Sequence, residues 1–248
     1  KMRSRMNIFA ISDLHLSLAA PFNKEAPDLT PLYKPMNVFG ARWDDALSRL
    51  TSNWQEKVTA QDVVLIPGDI SWAMTVDEAK FDFDFLSALP GKKIISRGNH
   101  DYWWNGIGKL RTALPPSIYP LQHDATEVGD FAVCATRGWT IPGRNDFKES
   151  EDRKIYDREL LRLGFALEAA AKLSKPIIVM LHYPPFYHPQ AGSGFLDLLR
   201  QYPVQHCIYG HLHGDKSSAF EGTVDGISFT NMSMDRIGFC PKLIANCN

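Results

Sequence analysis

Lys93-Ile94-Ile95-Ser96-Arg97-Gly98-Asn99-His100-Asp101 is the stretch that decides how this chain reads. Its first half is a short apolar run of strand type. Gly98 permits a sharp turn and a close backbone approach to a ligand. An amide oxygen, an imidazole and a carboxylate then crowd the strand's C-terminal end. Three polar side chains in that place bind something and move a proton rather than pack.

The same grammar recurs. Asn7 to Ser12 reads as a buried strand and leads into Asp13-Leu14-His15. Asp62 to Ile66 leads into Pro67-Gly68-Asp69, Ile177 to Leu181 into His182, and His206 to Tyr209 into Gly210-His211-Leu212-His213. Ligands of open α/β sheets bind outside the carboxyl ends of the strands, so these distant segments converge on one crevice. Of 8 histidines in the chain, His15, His100, His182, His211 and His213 fall in these clusters. Residues i and i+2 of an extended chain share a face, so Asp13 with His15, and His211 with His213, each present two ligands to one site. Imidazole with carboxylate suits Zn, Fe, Mn or Ni rather than Ca. Taken singly, Asp13 reads equally as a turn residue and His182 as a satisfied polar group. The conjunction carries the metal reading.

Between the strands, helical spacing runs over Arg42 to Val58, Val76 to Leu89, Tyr102 to Ala113, Glu149 to Leu173 and Ser193 to Gln201. Ile118 to Leu121, Phe131 to Thr136 and Gly226 to Met232 read as further strands. Alternating strands and helices in the first half indicate a layered α/β fold, and the second half is richer in strand. Ser17 to Gly40 carries Pro21, Pro27, Pro31 and Pro35 without a clear period. It reads as a loop next to the site, either a lid or substrate wall or a passive surface loop. The 248 residues are read as a single domain, with Lys1 to Arg5 as a cloning remnant.

Bulk properties narrow the function. The chain is 44% hydrophobic, and 27 basic against 28 acidic residues give a net charge of -1. That balance disfavours nucleic-acid binding through bulk charge. No 18-residue apolar run spans a membrane, and no secretory leader is legible. Cys134, Cys207, Cys240 and Cys247 lack paired spacing and read as free thiols of a cytoplasmic protein. No protein partner is evident.

In order, Asp13-x-His15, Gly68-Asp69, Gly98-Asn99-His100-Asp101, His182 and Gly210-His211-x-His213 resemble the calcineurin-like metallophosphoesterase superfamily. Residues 68–74, 97–104 and 136–139 are similar to a group of bacterial predicted phosphohydrolases of unassigned substrate. The resemblance implies a four-layer α/β fold, a central β-sandwich flanked by helices. It implies a dinuclear centre of divalent transition metals (Mn, Fe, Zn, Co or Ni). Asp13, His15 and His213 would hold one ion, Asn99, His182 and His211 the other, and Asp69 would bridge them. His100 would be the acid facing the leaving group, oriented by Asp101. Where many members carry Asp, Glu or Asn, this chain has Trp72.

The implied function is a metal-dependent phosphohydrolase acting on a small phosphorylated substrate by in-line attack of a metal-bridging hydroxide, available near neutral pH because bound metal lowers the pKa of water toward ~7. The alternatives are a nuclease, a cyclic-nucleotide phosphodiesterase, a pyrophosphatase of a nucleotide conjugate, or a non-catalytic scaffold on the same fold. Arg97 and Arg137 are candidate phosphate contacts, since a guanidinium suits a phosphate. Trp72 and Trp103 are candidate stacking surfaces for substrate and read equally as core residues.

Overall fold

Strands that are apolar at every position need cover on both faces, and Val63–Pro67 and Ile177–Leu181 are buried throughout. The computed structural model describes residues 6–214 and 219–247. The segment read as a remnant, residues 1–5, lies outside them. The first half runs β1 (Met6–Ala10), α1 (Ala46–Lys57), β2 (Val63–Pro67), α2 (Lys80–Ala88), β3 (Lys92–Ser96), α3 (Ile107–Ala113) and β4 (Ile118–Pro120). Then come β5 (Ala125–Val128), β6 (Phe131–Thr136), α4 (Glu149–Ala171), β7 (Ile177–Leu181), α5 (Gly194–Leu199), β8 (Val204–Tyr209), β9 (Gly222–Val224), β10 (Ile227–Asn231) and β11 (Lys242–Cys247).

Among the described residues these strands form two sheets, ordered β11-β1-β2-β3-β4 and β5-β6-β7-β8-β10-β9. The central pairings are parallel, as is that of the edge strand β4, whereas the edge strands β11, β5 and β9 are antiparallel. Alternation along each strand sorts the apolar side chains into layers. Ile8, Ala10, Val63, Leu65 and Ile94 of the first sheet meet Val133, Ala135, Ile178, Met180 and Ile208 of the second. The intervening Phe9, Val64, Ile66 and Ile95 pack with Leu50 and Trp54 of α1 and Leu86 of α2. On the far side, Cys134, Val179 and Cys207 meet Leu163, Leu167 and Ala170 of α4 and Phe195 of α5. The architecture is a sandwich of two mainly parallel sheets flanked by helices, the four-layer α/β arrangement expected.

Two differences have physical reasons. The helix expected from Tyr102 begins only at Ile107, because the indoles of Trp103 and Trp104 are pulled to opposite partners. Trp103 Nε1 donates to Asp101 at 3.1 Å and Trp104 Nε1 to Gln122 at 2.6 Å. Gly106 then caps α3 in an extended conformation. Strand β11 has no apolar run to announce it, and its pairing with β1 is what makes it a strand. The loop 17–40 holds short 3-10 turns at Pro27–Leu29 and Met36–Phe39. Among the described residues no helix is long and apolar enough to cross a membrane.

Lys93 is the charged exception in β3. It is wholly buried, its ammonium donates to the Leu89 carbonyl, and it lies 5.9 Å from the Trp54 ring centroid. Burial pushes its pKa down to about 8. Because the unfolded value is about 10.4, the charged form is penalised in the folded state below pH 8, and stability rises as pH climbs from about 8 to 10. Lys93→Met should therefore stabilise the fold at pH 7 by up to about 3 kcal/mol, less whatever the Leu89 carbonyl loses with its donor. It should also flatten that rise, as read from urea midpoints across the pH range.

Candidate metal centre

The parallel strands deliver their polar ends to one side of the sandwich. Asp13 and His15 follow β1, Asp69 follows β2, Asn99 and His100 follow β3, His182 follows β7, and His211 and His213 follow β8. Asp13, His15, Asp69 and His211 sit at φ of 57°, 46°, 52° and 71°. Such left-handed residues cost of order 1–3 kcal/mol each and cluster at functional sites. Asp and His tolerate that region better than most residue types. The turns interlock through backbone bonds: Asp13 N–H donates to Gly68 O at 3.1 Å, His15 N–H to Asp69 O at 3.0 Å, and Gly210 N–H to His182 O at 3.0 Å.

Two glycines are required by this closeness. A Cβ on Gly98 would run into the Asp69 carboxylate and amide. One on Gly68, itself at φ +91°, would lie 2.7 Å from Gly98 Cα and from His182 Nδ1.

All seven ligand candidates come together. His15 Nε2 lies 3.2 Å from His213 Nε2 and 4.0 Å from Asp13 Oδ1, and His213 Nε2 lies 3.5 Å from Asp13 Oδ1. His182 Nε2 is 2.7 Å and His211 Nδ1 2.9 Å from Asn99 Oδ1. Asp69 Oδ2 stands between the two sets, 3.4 Å from His182 Nε2 and 3.8 Å from His15 Nε2. Asp13, His15 and His213 form one group able to hold a cation, and Asp13, Asp69 and His182 a second.

The donor set fits cations on its own terms. The Nε2 atoms of His15 and His213, 3.2 Å apart, are placed so that both can face one cation beside Asp13. Two outer nitrogens are engaged elsewhere, His213 Nδ1 with Asp235 Oδ1 at 2.9 Å and His182 Nδ1 with Pro67 O at 3.0 Å, whereas His15 Nδ1 is buried without a hydrogen-bond partner. Second contacts of this kind turn the remaining nitrogens inward.

Electrostatics follow from burial around two carboxylates. Burial raises Asp13. It acts the same way on Asp69, but His182, His15 and His100 outweigh it and hold that carboxyl well below the usual range. Burial, helped by neighbouring imidazoles and opposed by Asp69, lowers His15 and His211 to about 3. Burial also opposes charge on His182, yet Asp69, Asp13 and the Pro67 carbonyl prevail and raise it to about 9. Burial puts His100 below its ordinary value, with Asp69 opposing.

Asp101 does not orient His100. Its buried carboxylate accepts from the backbone N–H groups of Gly98 (2.7 Å), Asp69 (2.9 Å), Ile70 (2.8 Å) and Ser71 (3.2 Å), and from Trp103 Nε1. It clamps the Gly68–Ser71 turn onto the Gly98 turn. Burial and the adjacent Asp69 push its pKa up to about 6. The His100 ring instead has the Tyr102 hydroxyl 3.4 Å from Nδ1, while its amide donates to Asp69 Oδ1 at 2.8 Å.

The aromatic candidates divide. Trp103 is wholly buried and offers no surface to a substrate, because its indole serves the Asp101 clamp and its ring packs on Phe83. Trp72 lies at the centre, stacked on His15 at 4.8 Å and against His100 at 4.3 Å, with Lys34 Nζ 3.1 Å over its ring. Arg97 and Arg137 are drawn to one neighbouring cavity rather than into the ligand cluster.

Residues with no sequence signal also take part. Asp235 steadies His213 and accepts from Gly214 N–H. Ser233 donates to Asp13 at 3.0 Å, and Tyr183 lies against the His211 ring at 4.1 Å. A cavity of about 560 Å3 beside His15 and Trp43 is walled by loop residues Asp28, Thr30, Leu32 and Met36.

Residues 6–215 match the family model described as calcineurin-like phosphoesterase. Among solved structures, a protein of unknown function from Aquifex aeolicus is similar with a TM-score of 0.49 at 15% identity, covering 96% of this chain and 95% of that one. A candidate 5'-nucleotidase from Staphylococcus aureus, solved in complex with alpha-ketoglutarate, is similar with a TM-score of 0.48 at 15% identity. The match covers 98% of this chain and 54% of that one, so this chain spans about half of that protein's length. No curated protein sequence matches the chain.

Asp101→Ala should strand four buried N–H groups and destabilise the protein by more than about 3 kcal/mol. His100→Asn, at a half-buried position, should cost less than about 1 kcal/mol. Paired urea titrations decide: equal, small losses would return Asp101 to the role of a partner for His100.

Proposed function

Because the chain belongs to the calcineurin-like phosphoesterase family, hydrolases acting on phosphoester bonds, we propose that it is a dinuclear, metal-dependent phosphohydrolase of a small phosphorylated substrate. We read residues 1–248 as one domain working in the cytoplasm, in keeping with its four free cysteines. The observation that carries the reading is the place of Asp69 Oδ2, within 4.0 Å of ring nitrogens of His15, His100 and His182.

In this reading Asp13, His15 and His213 would hold one divalent cation, Asn99, His182 and His211 would hold another, and Asp69 would serve both. Such cations supply an activated water and positive charge for the phosphoryl oxygens. The chain's own residues do the rest. Asn99 contributes oxygen without negative charge, which keeps the site attractive to an anion. His182 and His213, both raised above the ordinary histidine value, give up their protons as cations bind.

His100 stands at the open side, its side chain 34% exposed and its Nε2 4.0 Å from Asp69 Oδ2. There it donates a proton to the departing oxygen. A phosphoryl dianion beside it favours its charged form, offsetting the burial that lowers its pKa. Trp72, stacked on His15 and His100, excludes water from that side and holds both rings in place.

The test is full-length protein reconstituted with Mn or Co and assayed on p-nitrophenyl phosphate beside bis-p-nitrophenyl phosphate, which also separates monoester from diester hydrolysis. Hydrolysis of neither, with either metal, would count against the reading. His100→Asn should keep its metal and lose roughly 10²–10⁴-fold in turnover; unchanged turnover would remove the proton-donor role. Asp69→Asn should bind less metal at both positions by elemental analysis, and full occupancy there would contradict the shared carboxylate.

A further inference from the structure

Beside the metal centre, the ends of β3 and β6 and one face of α4 enclose a cavity of about 260 Å3. It contains none of the seven ligand candidates. Four of its lining residues are arginines, Arg97, Arg137, Arg158 and Arg162, and among the described residues the lining includes one carboxylate, Glu159. A guanidinium does not deprotonate in a protein, so the cavity carries a fixed excess of positive charge.

Glu159 is already committed. It is fully buried, Oε2 accepts from Thr136 Oγ1 at 2.7 Å, and Oε1 accepts from Arg162 Nη1 at 2.6 Å. Arg137 Nη2 reaches only 3.7 Å from the same oxygen. Three buried donors of the lining lack acceptors, although the Arg137 guanidinium also lies 4.5 Å from the Trp139 ring centroid. The buried Nε atoms of Arg97 and Arg137 have no hydrogen-bond partner, and neither does Ser96 Oγ in a residue 1% exposed. Burial, followed by the charges of Arg97 and Arg162, lowers the Arg137 pKa against the pull of Glu159. Buried donors without partners cost about 1–3 kcal/mol each. A cavity lined by several of them, under excess positive charge, is built for an anion with many acceptor oxygens.

We propose that this cavity is an oxyanion subsite and that it holds a second phosphate of the substrate while the first is cleaved at the metal centre. The proposal rests on the phosphohydrolase reading above and names its substrate class, small molecules bearing two phosphate groups. The two places are joined by the chain itself. Arg97 stands two residues before Asn99, at most about 7 Å along the backbone. The Arg137 carbonyl accepts the N–H groups of His182 at 2.9 Å and Tyr183 at 3.0 Å. Guanidiniums bind tetrahedral oxyanions through paired, charge-assisted hydrogen bonds. An oxyanion here would meet unpaired donors from β3 and β6, and from Arg158, an exposed residue of α4.

Arg158 is the residue to change, because it is exposed and its loss leaves the Glu159 network intact. Full-length protein after metal chelation is titrated calorimetrically with inorganic phosphate. Wild type should bind at one site, and Arg158→Gln should weaken it about tenfold or more, the scale of one charge-assisted hydrogen bond. Absence of binding, or binding unchanged by Arg158→Gln in a variant with wild-type melting, overturns the proposal. This titration needs no turnover, so failure of the phosphohydrolase reading and failure of the subsite are told apart. Metal-loaded protein is then titrated with alkanediol bisphosphates of increasing chain length and with an alkyl monophosphate. Tethering should make the best-fitting bisphosphate at least about tenfold tighter than the monophosphate in wild type, and Arg158→Gln should abolish that advantage. No advantage at any length would make the anion a free one and overturn the substrate subsite.

Discussion

The clamp made by Asp101 is the constraint on which the centre depends. One buried carboxylate gathers four backbone N–H groups from two turns that belong to different strands. Hydrogen bonds to a charged acceptor are the strong kind. Their joint effect is to press the Gly98 turn onto Asp69, close enough that no side chain fits between. The position of Asp69 Oδ2, between His15 and His182, follows from that compression.

Around the clamp, stability and function pull in different directions. The strand ends carry left-handed aspartates and histidines and a cluster of imidazoles facing one another. None of this favours folding. The layers beneath offset it: the apolar interface between the sheets and the helices on their outer faces are close to fully buried. The centre is a strained rim on a rigid base, which is where pre-organised chemistry is placed.

Much of this was legible in the sequence because it is local. Phe131–Thr136 and Ile177–Leu181 are strands with the bounds their apolar runs announce, and the polar residues at the strand ends converge as the parallel topology requires. What was illegible depends on partners far away. Asp101 stands next to His100, yet its partners are the N–H groups of the Gly68–Ser71 turn, and only the fold brings them near. The sequence leaves Trp103 open between a stacking surface and the core, and the fold puts it in the core with its indole turned to Asp101. Asp235 and the grouping of Arg97 with Arg158 carry no local periodicity at all. Strand β11 exists through its pairing with β1, and nothing in Lys242–Cys247 taken alone required it.

That pairing bears on the order of assembly. Strand β1 bears Asp13 and His15 just beyond its end, and one of its edges is closed only by β11, from the opposite end of the described chain. Ser12 likewise bridges to Ser233. Contacts between such remote segments form slowly, because the loop-closure entropy is paid before they contribute. Asp13 and His15 are therefore set in place only when the two ends of the described chain have met, so the candidate centre is tied to closure of the first sheet.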